Sequence, residues 1–208
     1  MTDKLSPPSA LNTPKKRKKW WYALETQWKK AFNQAVLHKE PSDELPTDDE
    51  LLDLATVSVM RFAGPTSPAP SISFELTNLS GITELTNLEI LVAIFCKLTS
   101  MEEVAKLTKL NSLFVYENQI TSMRGVENLR SLKELYVNVN QISSIKEIRY
   151  LLHLETFYCT NNAITSLEGL TEKHSDKLTR FFCLPNDALH QREILRTERE
   201  LGIRCLKA

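Results

Sequence analysis

Apolar residues recur along the chain with a period of 22 residues. One column contains Leu91, Leu113, Leu135 and Phe157, and five further apolar columns keep the same spacing. Each copy follows the pattern Leu-x-x-Leu-x-x-Leu-x-Val-x-x-Asn-x-Ile, with replacements by other residues in some copies. This self-similarity predicts a stack of equivalent coils, because each coil must bury its apolar face against its neighbours.

Every coil is predicted to contain one short strand. Around Leu113 the side chains of Leu113 and Val115 would face the core, and Phe114 would face outward. The last full repeat is two residues longer than the others. Its insertion falls in residues 171–177, opposite the strand, where loops tolerate added residues.

An asparagine lies five residues after the first inward-facing strand residue in four of the coils. An amide at this place can hydrogen-bond to backbone groups of the neighbouring coil that no sheet ladder reaches. Cys96 occupies the same place in the coil before them. We therefore predict a structural asparagine ladder of Asn118, Asn140, Asn162 and Asn186.

The repeats resemble the short, 22-residue class of leucine-rich repeats, which is found in phosphatase-regulatory proteins and bacterial internalins. The resemblance rests on Asn-Gln-Ile-Thr-Ser-Met-Arg-Gly-Val at 118–126 and Ile-Thr-Ser-Leu-Glu-Gly-Leu at 164–170, and it covers roughly residues 76–186. It implies an α/β repeat solenoid, a horseshoe with a parallel concave sheet. Cys96 and the insertion depart from the pattern of this class.

A solenoid needs cover at both ends, since an open end exposes the core and strand edges. The segment near 71–74 lies close to Ala69, which is flanked by prolines, and we interpret it as an irregular entry coil. The predicted regions are a disordered basic tail (1–19), a helical N-terminal region and cap (20–66), about five leucine-rich coils (67–186) and a C-terminal cap (187–208).

Helix signals support both caps. Thr47 and Glu50 form a capping-box pattern at the start of one helix. The C-terminal cap is predicted as a helix over residues 187–201, with Asp187 as its N-cap and Gly202 just past its end.

A predicted helix over residues 20–37 has one apolar face. This face contains Trp21, Leu24, Trp28, Phe32 and Ala35. Packing within the chain is the favoured interpretation, because a large aromatic stripe at helical spacing is most often core. The alternatives are a membrane-surface helix led by the basic run 15–19, a helix docked on a partner, and a helix that blocks the concave groove until a partner displaces it.

Charge and targeting signals narrow the function classes. Lys plus Arg is 26 and Asp plus Glu is 26, so the formal net charge is zero, and nucleic acid is not expected as the main partner. A basic run (15–19) and an acidic run (40–53) lie apart in the chain. The N-terminus does not resemble a signal peptide. We expect a cytoplasmic protein, or a nuclear one in a eukaryotic host, where residues 14–19 resemble a localisation signal.

The sequence offers no catalytic constellation. Walker A, GxGxxG and GxSxG motifs are absent, the four histidines are scattered, and the four cysteines show no CxxC spacing. We therefore expect no enzymatic activity, no cofactor and no metal site. Cys159 and Cys183 lie in adjacent coils within disulfide reach, but reduced thiols packed in the core are the favoured interpretation.

Outward-facing strand positions form the candidate partner-binding site. The position after the strand leucine carries an aromatic residue in four successive coils. This face need not be apolar to complete the fold, and Tyr and Phe are enriched at interfaces. The other interpretation is cross-strand stacking that stabilises the sheet. The candidate partner-binding residues are Phe114, Tyr116, Tyr136, Asn138, Tyr158, Thr160, Phe182 and Leu184.

These features favour a monomeric scaffold or adaptor that binds a protein or peptide, of unknown identity, on the concave face. One alternative is a peripheral membrane protein anchored by the basic, Trp-rich residues 15–37. The resemblance implies another, a regulatory subunit of a phosphatase-like enzyme.

Overall fold

Strands of successive coils pair in chain order into an open parallel sheet. The computed structural model describes residues 5–208, and within them the sheet has seven strands. The 22-residue period sets the register, since Leu113 pairs with Leu91 and with Leu135. The strands are β1 (Val59–Ala63), β2 (Ile90–Ile94), β3 (Ser112–Phe114), β4 (Glu134–Tyr136), β5 (Thr156–Tyr158), β6 (Arg180–Leu184) and β7 (Leu206–Lys207).

Short 3₁₀ turns form the convex side of the coils. Their buried residues, such as Val104, Val126 and Ile148, face the inward side chains of the strands. The apolar columns therefore form one continuous core between the sheet and the turns, as the repeat pattern predicts. The turns are Ser80–Ile82, Glu102–Lys106, Val126–Asn128, Lys146–Tyr150 and Glu172–His174.

The asparagine column links consecutive coils. Asn140 Nδ2 donates to the carbonyl of Val115 in the preceding coil at 3.0 Å and to that of Val137 in its own coil at 3.0 Å. Its Oδ1 accepts from Ile120 N at 2.9 Å. Asn118, Asn162 and Asn186 make the equivalent pair of contacts, one to a carbonyl of the preceding coil and one to a carbonyl of their own coil. The ladder satisfies backbone groups that the short strands leave unpaired.

A left-handed backbone conformation precedes the turn away from the sheet in four successive coils. Phe95, Glu117, Val139 and Asn161 have φ between 53° and 56°. Each stands directly before the asparagine column or before Cys96. Asn tolerates this conformation, whereas a β-branched residue such as Val139 is strained in it.

The N-terminal segment folds differently from the prediction. Helix α1 (Pro14–Ala23) begins inside the region predicted as a disordered tail, because Thr13 Oγ1 caps it by accepting from Lys16 N at 3.3 Å. Within it Arg17 is buried and donates to Leu11 O at 3.1 Å. The disorder prediction is therefore wrong for residues 9–19, and residues 1–4 lie outside the described part.

The predicted helix over 20–37 is broken. Leu24 and Glu25 are extended, and they separate α1 from α2 (Thr26–Ala31), which continues into a π-helical turn (Phe32–Val36). Glu25 holds the break, because its carboxylate accepts from Asn78 Nδ2 at 3.2 Å and from Ser80 Oγ at 2.9 Å. A hydrogen bond from Gln27 lowers the pKa of Glu25 most, and the hydrogen bonds from Asn78 and Ser80 lower it further.

The apolar face of this segment covers the N-terminal end of the solenoid. The Trp28 ring lies 5.3 Å from Phe32 and 5.2 Å from Phe62 of β1, centroid to centroid. Trp21 and Trp28 are buried. Packing within the chain is therefore confirmed. Neither a membrane nor the concave groove can receive this face in the folded chain.

Strand β1 lies inside the region predicted as a helical cap. The capping box of Thr47 and Glu50 does begin a helix, α3 (Asp48–Thr56), but a strand follows it. Met60 pairs with Leu91, 31 residues later, so the first coil is longer than the 22-residue period. Residues 71–74 form the predicted irregular segment, and Ser71 Oγ lies along the edge of β1, where it accepts from Ala63 N at 2.8 Å.

The C-terminal cap starts later than predicted. Helix α4 (Gln191–Glu200) follows His190, and Asp187 is not its N-cap, because a turn closed by Leu189 N donating to Asn186 O comes first. Gly202 follows the helix with φ 68°, as predicted. The chain then adds β7, in which Leu206 pairs with Phe182 of β6.

Candidate functional site

An aromatic stack crosses the concave face of the sheet. The strand register aligns its four rings, one from each of β3, β4, β5 and β6. The ring centroids are 4.7 Å apart between Phe114 and Tyr136, 4.6 Å between Tyr136 and Tyr158, and 4.1 Å between Tyr158 and Phe182. The four rings therefore stack on one another, and they also lie on the outer face of the sheet, as the strand alternation predicts.

The stack is partly exposed, and this limits how a ligand can meet it. All four rings are half-buried, whereas the neighbouring strand residues Leu113 and Leu135 are fully buried. Since the ring faces cover one another, a ligand meets mainly ring edges and the hydroxyls of Tyr136 and Tyr158. Partial burial raises the pKa of the Tyr136 hydroxyl, and the carboxylate of Glu134 raises it further.

A second row of predicted residues lies beside the stack. Tyr116, Asn138 and Leu184 are half-buried, and the Phe95 ring contacts Tyr116 edge to face at 5.8 Å. Thr160 is only 2% exposed, so this predicted contact residue does not reach the surface. Asn138 and Leu184 occupy the same repeat column. Because the side chain of Thr160 is shorter than theirs, it does not extend as far from the sheet.

A polar bridge borders the other side of the stack. Arg180 of β6 reaches Glu134 of β4 at 3.7 Å, across the intervening strand β5. Ser112 Oγ donates to Glu134 Oε2 at 2.9 Å, and Thr156, between the two charged residues, is fully buried. The bridge was not predicted, because its partners lie in different repeats and neither belongs to an apolar column.

The N-terminal end of the face comes from β1, which the sequence did not predict as a strand. Arg61 is exposed and pairs in register with Val92, which continues the line of the stack. Val59 is 50% exposed at the outer edge of the sheet. The face is thus apolar and aromatic in its middle, with Arg61 and Arg180 toward its two ends.

The described part of the chain shows neither a metal-ligand cluster nor an activated thiol at Cys96, Cys159 or Cys183. There, no group of three or more His, Cys, Asp or Glu side chains could hold a metal ion. Burial raises the pKa of Cys96 to about 11. A hydrogen bond with Cys205, together with burial, raises the pKa of Cys183, and burial raises that of Cys159. Protonated thiols are poor nucleophiles.

Cys205 lies beside Cys183, a contact that was not predicted from the sequence. Cys183 lies in β6 and Cys205 lies directly before β7, and the pairing of these two strands brings the thiols together. Along residues 5–208 there is also no helix of the length and apolar character needed to cross a bilayer.

Comparison with known proteins supports the fold. The family model "Leucine Rich repeats (2 copies)" matches residues 130–172. The chain is similar to an internalin (inlF) from Listeria monocytogenes, with 24% identity, a TM-score of 0.59, and coverage of 70% of this chain and 39% of that one. No curated protein matches the sequence.

Two further solved structures are similar at the level of fold. A leucine-rich-repeat protein from Leptospira interrogans is 20% identical, with a TM-score of 0.52, and the match covers 74% of this chain and 44% of that one. The ectodomain of the plant receptor kinase GASSHO1/SCHENGEN3 from Arabidopsis thaliana, in complex with CASPARIAN STRIP INTEGRITY FACTOR 2, is 21% identical, with a TM-score of 0.53 and coverage of 67% and 16%. The chain thus spans less than half the length of these proteins.

Proposed function

We propose that this chain, which has the leucine-rich-repeat fold, is a non-enzymatic binding module that holds another protein or peptide on its concave face. The observation that carries the proposal is the half-exposed aromatic stack of Phe114, Tyr136, Tyr158 and Phe182. Ring edges and two hydroxyls at the surface suit a partner that offers both apolar groups and hydrogen-bond acceptors.

Stacking alone does not account for the composition of this face. It stabilises the four rings against one another. It does not require the apolar neighbours Val92, Tyr116 and Leu184 to be partly exposed. An apolar surface of this kind on a soluble protein commonly marks an interaction site. The plant receptor ectodomain with the same fold was solved with a bound factor, which supports a binding role for the fold.

The membrane-anchor alternative loses its physical basis. It needed an exposed Trp-rich face, but Trp20, Trp21 and Trp28 are buried at the N-terminal end of the solenoid. A phosphatase-regulatory role has no particular residue in its favour. A cytoplasmic location is part of our proposal, because four free cysteines, three of them buried, suit a reducing compartment.

The proposal is tested by capture of partners from a host lysate with wild type and with Tyr136→Thr/Tyr158→Thr. Threonine, like tyrosine, is a residue that favours strands, so the sheet can form without the rings. The control is Tyr22→Ala, which removes an exposed tyrosine of α1 outside the concave face.

We expect a protein that wild type and the control capture and the threonine variant does not. Circular dichroism and thermal melting must show that all three chains are folded at the assay temperature. Capture of the same proteins by all three folded chains would contradict binding on the stack.

A further inference from the structure

A cavity on the convex side of the solenoid combines positive charge with exposed apolar groups. It has a volume of about 350 Å³ and lies across three successive coils. Its side chains differ from those of the aromatic stack, which lies on the opposite side of the core. The lining residues are Arg130, Arg149, Tyr150, Leu152, Thr171 and Lys173.

The two-residue insertion helps to build this cavity. Residues 171–177 depart from the repeat period, and the cavity takes Thr171 and Lys173 from them. His174 fixes the inserted loop, because it is 1% exposed and its Nε2 donates to Ile148 O of the preceding coil at 3.1 Å. Its Nδ1 accepts from Thr171 N at 3.1 Å. The loop is therefore held in place beside the cavity.

The cations of the cavity are available to a ligand. The Arg130 guanidinium lies 4.4 Å from the centre of the Tyr150 ring and donates to Tyr150 O at 3.1 Å. Arg149 has a weak, exposed ion pair with Glu168 at 3.5 Å. Within residues 5–208 no carboxylate is found in an ion pair with Arg130 or Lys173. Tyr150 and Leu152 are 46% and 37% exposed, so the cavity offers apolar contact beside its positive charge.

The chain also contains a segment that is complementary to this cavity, with exposed negative charge beside an exposed apolar side chain. Residues 40–49 contain Asp43 and Glu44, both exposed, directly before Leu45, which is 39% exposed. The buried Asn33 fixes this segment, because its Nδ2 donates to Ser42 O at 2.9 Å and to Glu44 O at 3.4 Å. An exposed leucine next to two carboxylates is therefore presented on a fixed backbone.

We propose that the acidic segment 40–49 of a second copy of this chain docks in the convex cavity. Leu45 would contact Tyr150 and Leu152, while Asp43 and Glu44 would face Arg130 and Lys173. The segment cannot reach the cavity of its own chain. Asn33 holds it at the N-terminal end, and the cavity lies about 15–20 Å further along the solenoid, at about 4.8 Å for each strand spacing.

The proposed contact joins two different surfaces, so it can repeat from copy to copy. It depends on a few exposed charge pairs and one leucine, and we expect it to be weak and sensitive to salt. A chain expected from its sequence to be a monomer would then self-associate as its concentration rises. This inference does not depend on binding at the concave face.

Sedimentation velocity of the full chain over a wide concentration range tests the proposal at low and high salt. We expect reversible association at low salt that high salt suppresses. Arg130→Glu/Lys173→Glu and Asp43→Lys/Glu44→Lys should each weaken the association constant by about tenfold or more, since each places like charges together. Arg192→Glu/Arg199→Glu is the matched control, because both arginines are exposed on α4, and it should associate as wild type does.

A mixture of the two charge-reversed variants gives a sharper result. One retains only the acidic segment and the other only the cavity, so each is predicted to be monomeric alone. Mixed, they should associate again, because the native acidic segment meets the native cavity and the reversed segment meets the reversed cavity. A second readout is NMR titration, in which unlabelled Arg130→Glu/Lys173→Glu should shift the Leu152 and Lys173 amides of labelled Asp43→Lys/Glu44→Lys.

Three results would overturn the proposal. The wild-type chain could remain a monomer at every concentration in low salt. Association could persist unchanged in both charge-reversed variants. Association could instead disappear in Tyr136→Thr/Tyr158→Thr while the charge reversals have no effect, in which case the aromatic stack is the contact between copies.

Discussion

Trp28 packs so closely on the backbone of Gly81 that no other residue fits there without rearrangement. A Cβ atom at position 81 would lie 2.2 Å from Trp28 Cδ2. The indole is fully buried, and its Nε1 donates to Asn78 Oδ1 at 3.2 Å. This contact joins α2 to the 3₁₀ turn Ser80–Ile82 and so attaches the N-terminal cap to the first coil.

Gly81→Ala is therefore predicted to destabilise the chain by about 1–3 kcal/mol, because the added methyl group must displace a buried ring. Urea unfolding followed by tryptophan fluorescence measures the effect. Trp28→Leu makes room at this place, so adding Gly81→Ala to that variant should cost clearly less. An equal cost in both backgrounds would show that the ring does not limit the space.

The asparagine ladder gives a second stability prediction. Asn140→Ala leaves the Ile120 N–H without its acceptor, and the Val115 and Val137 carbonyls each lose one of their two asparagine donors. The expected loss is about 1–3 kcal/mol in the free energy of unfolding, since the unsatisfied buried N–H retains its desolvation cost. Asn128→Ala, at an exposed turn position, is the control and should change it by less than about 0.5 kcal/mol. Similar losses in both variants would contradict the role of the ladder.

Backbone strain at one position of the repeat can be relieved or introduced by substitution. Val139 and Asn161 occupy equivalent places with φ of 55° and 53°. Val139→Asn should stabilise the chain by about 0.5–1 kcal/mol, because asparagine tolerates the left-handed region and valine does not. Asn161→Val should destabilise it by a similar amount. Chemical denaturation of both variants checks the prediction, which fails if the two changes have the same sign.

The C-terminal cap is predicted to be sensitive to acid. Glu193 of α4 accepts hydrogen bonds from Ser166 Oγ at 3.0 Å and Leu167 N at 3.1 Å. Burial by itself would raise the pKa of Glu193, but these bonds and Arg196 together lower it below the ordinary 4.5. A lowered carboxyl pKa contributes stability that is fully present above about 4.5 and is lost as the pH falls through the folded-state value.

Hydrogen exchange of the α4 amides at pH 7 and at pH values below about 4.5 measures this loss. In wild type the protection of α4 relative to the central coils should decrease in acid. Glu193→Gln should lower this relative protection already at pH 7 and remove most of its acid dependence. Unchanged acid dependence in Glu193→Gln would assign the effect to other carboxyl groups.

The regular part of the fold could be predicted from the sequence because one spacing controls it. The column of Leu91, Leu113 and Leu135 gives the strand register directly, since equivalent residues of equal-length coils must align. The outward position of Tyr136 and Tyr158 follows from the alternation of side chains along a strand. Both statements need only local periodicity.

The irregular parts could not be predicted in the same way. Strand β1 follows a helix, and its Met60 pairs with Leu91, 31 residues later. Because this spacing differs from the 22-residue period, the repeat pattern does not reveal β1. The break at Leu24 and Glu25 depends on hydrogen bonds from Asn78 and Ser80, far away in the chain. Distant partners outweigh helical periodicity at these places.

The solenoid, its parallel sheet and the aromatic column follow from the repeat spacing, because a 22-residue apolar period can be buried only by stacking equal coils. Which residues around that column are accessible depends on the packing of the folded chain. Folding buries Thr160, places Arg180 across β5 beside Glu134, and brings Arg130 and Lys173 to one cavity. Accessibility and charge pairing depend on side chains from several coils at once, and no single repeat contains that information.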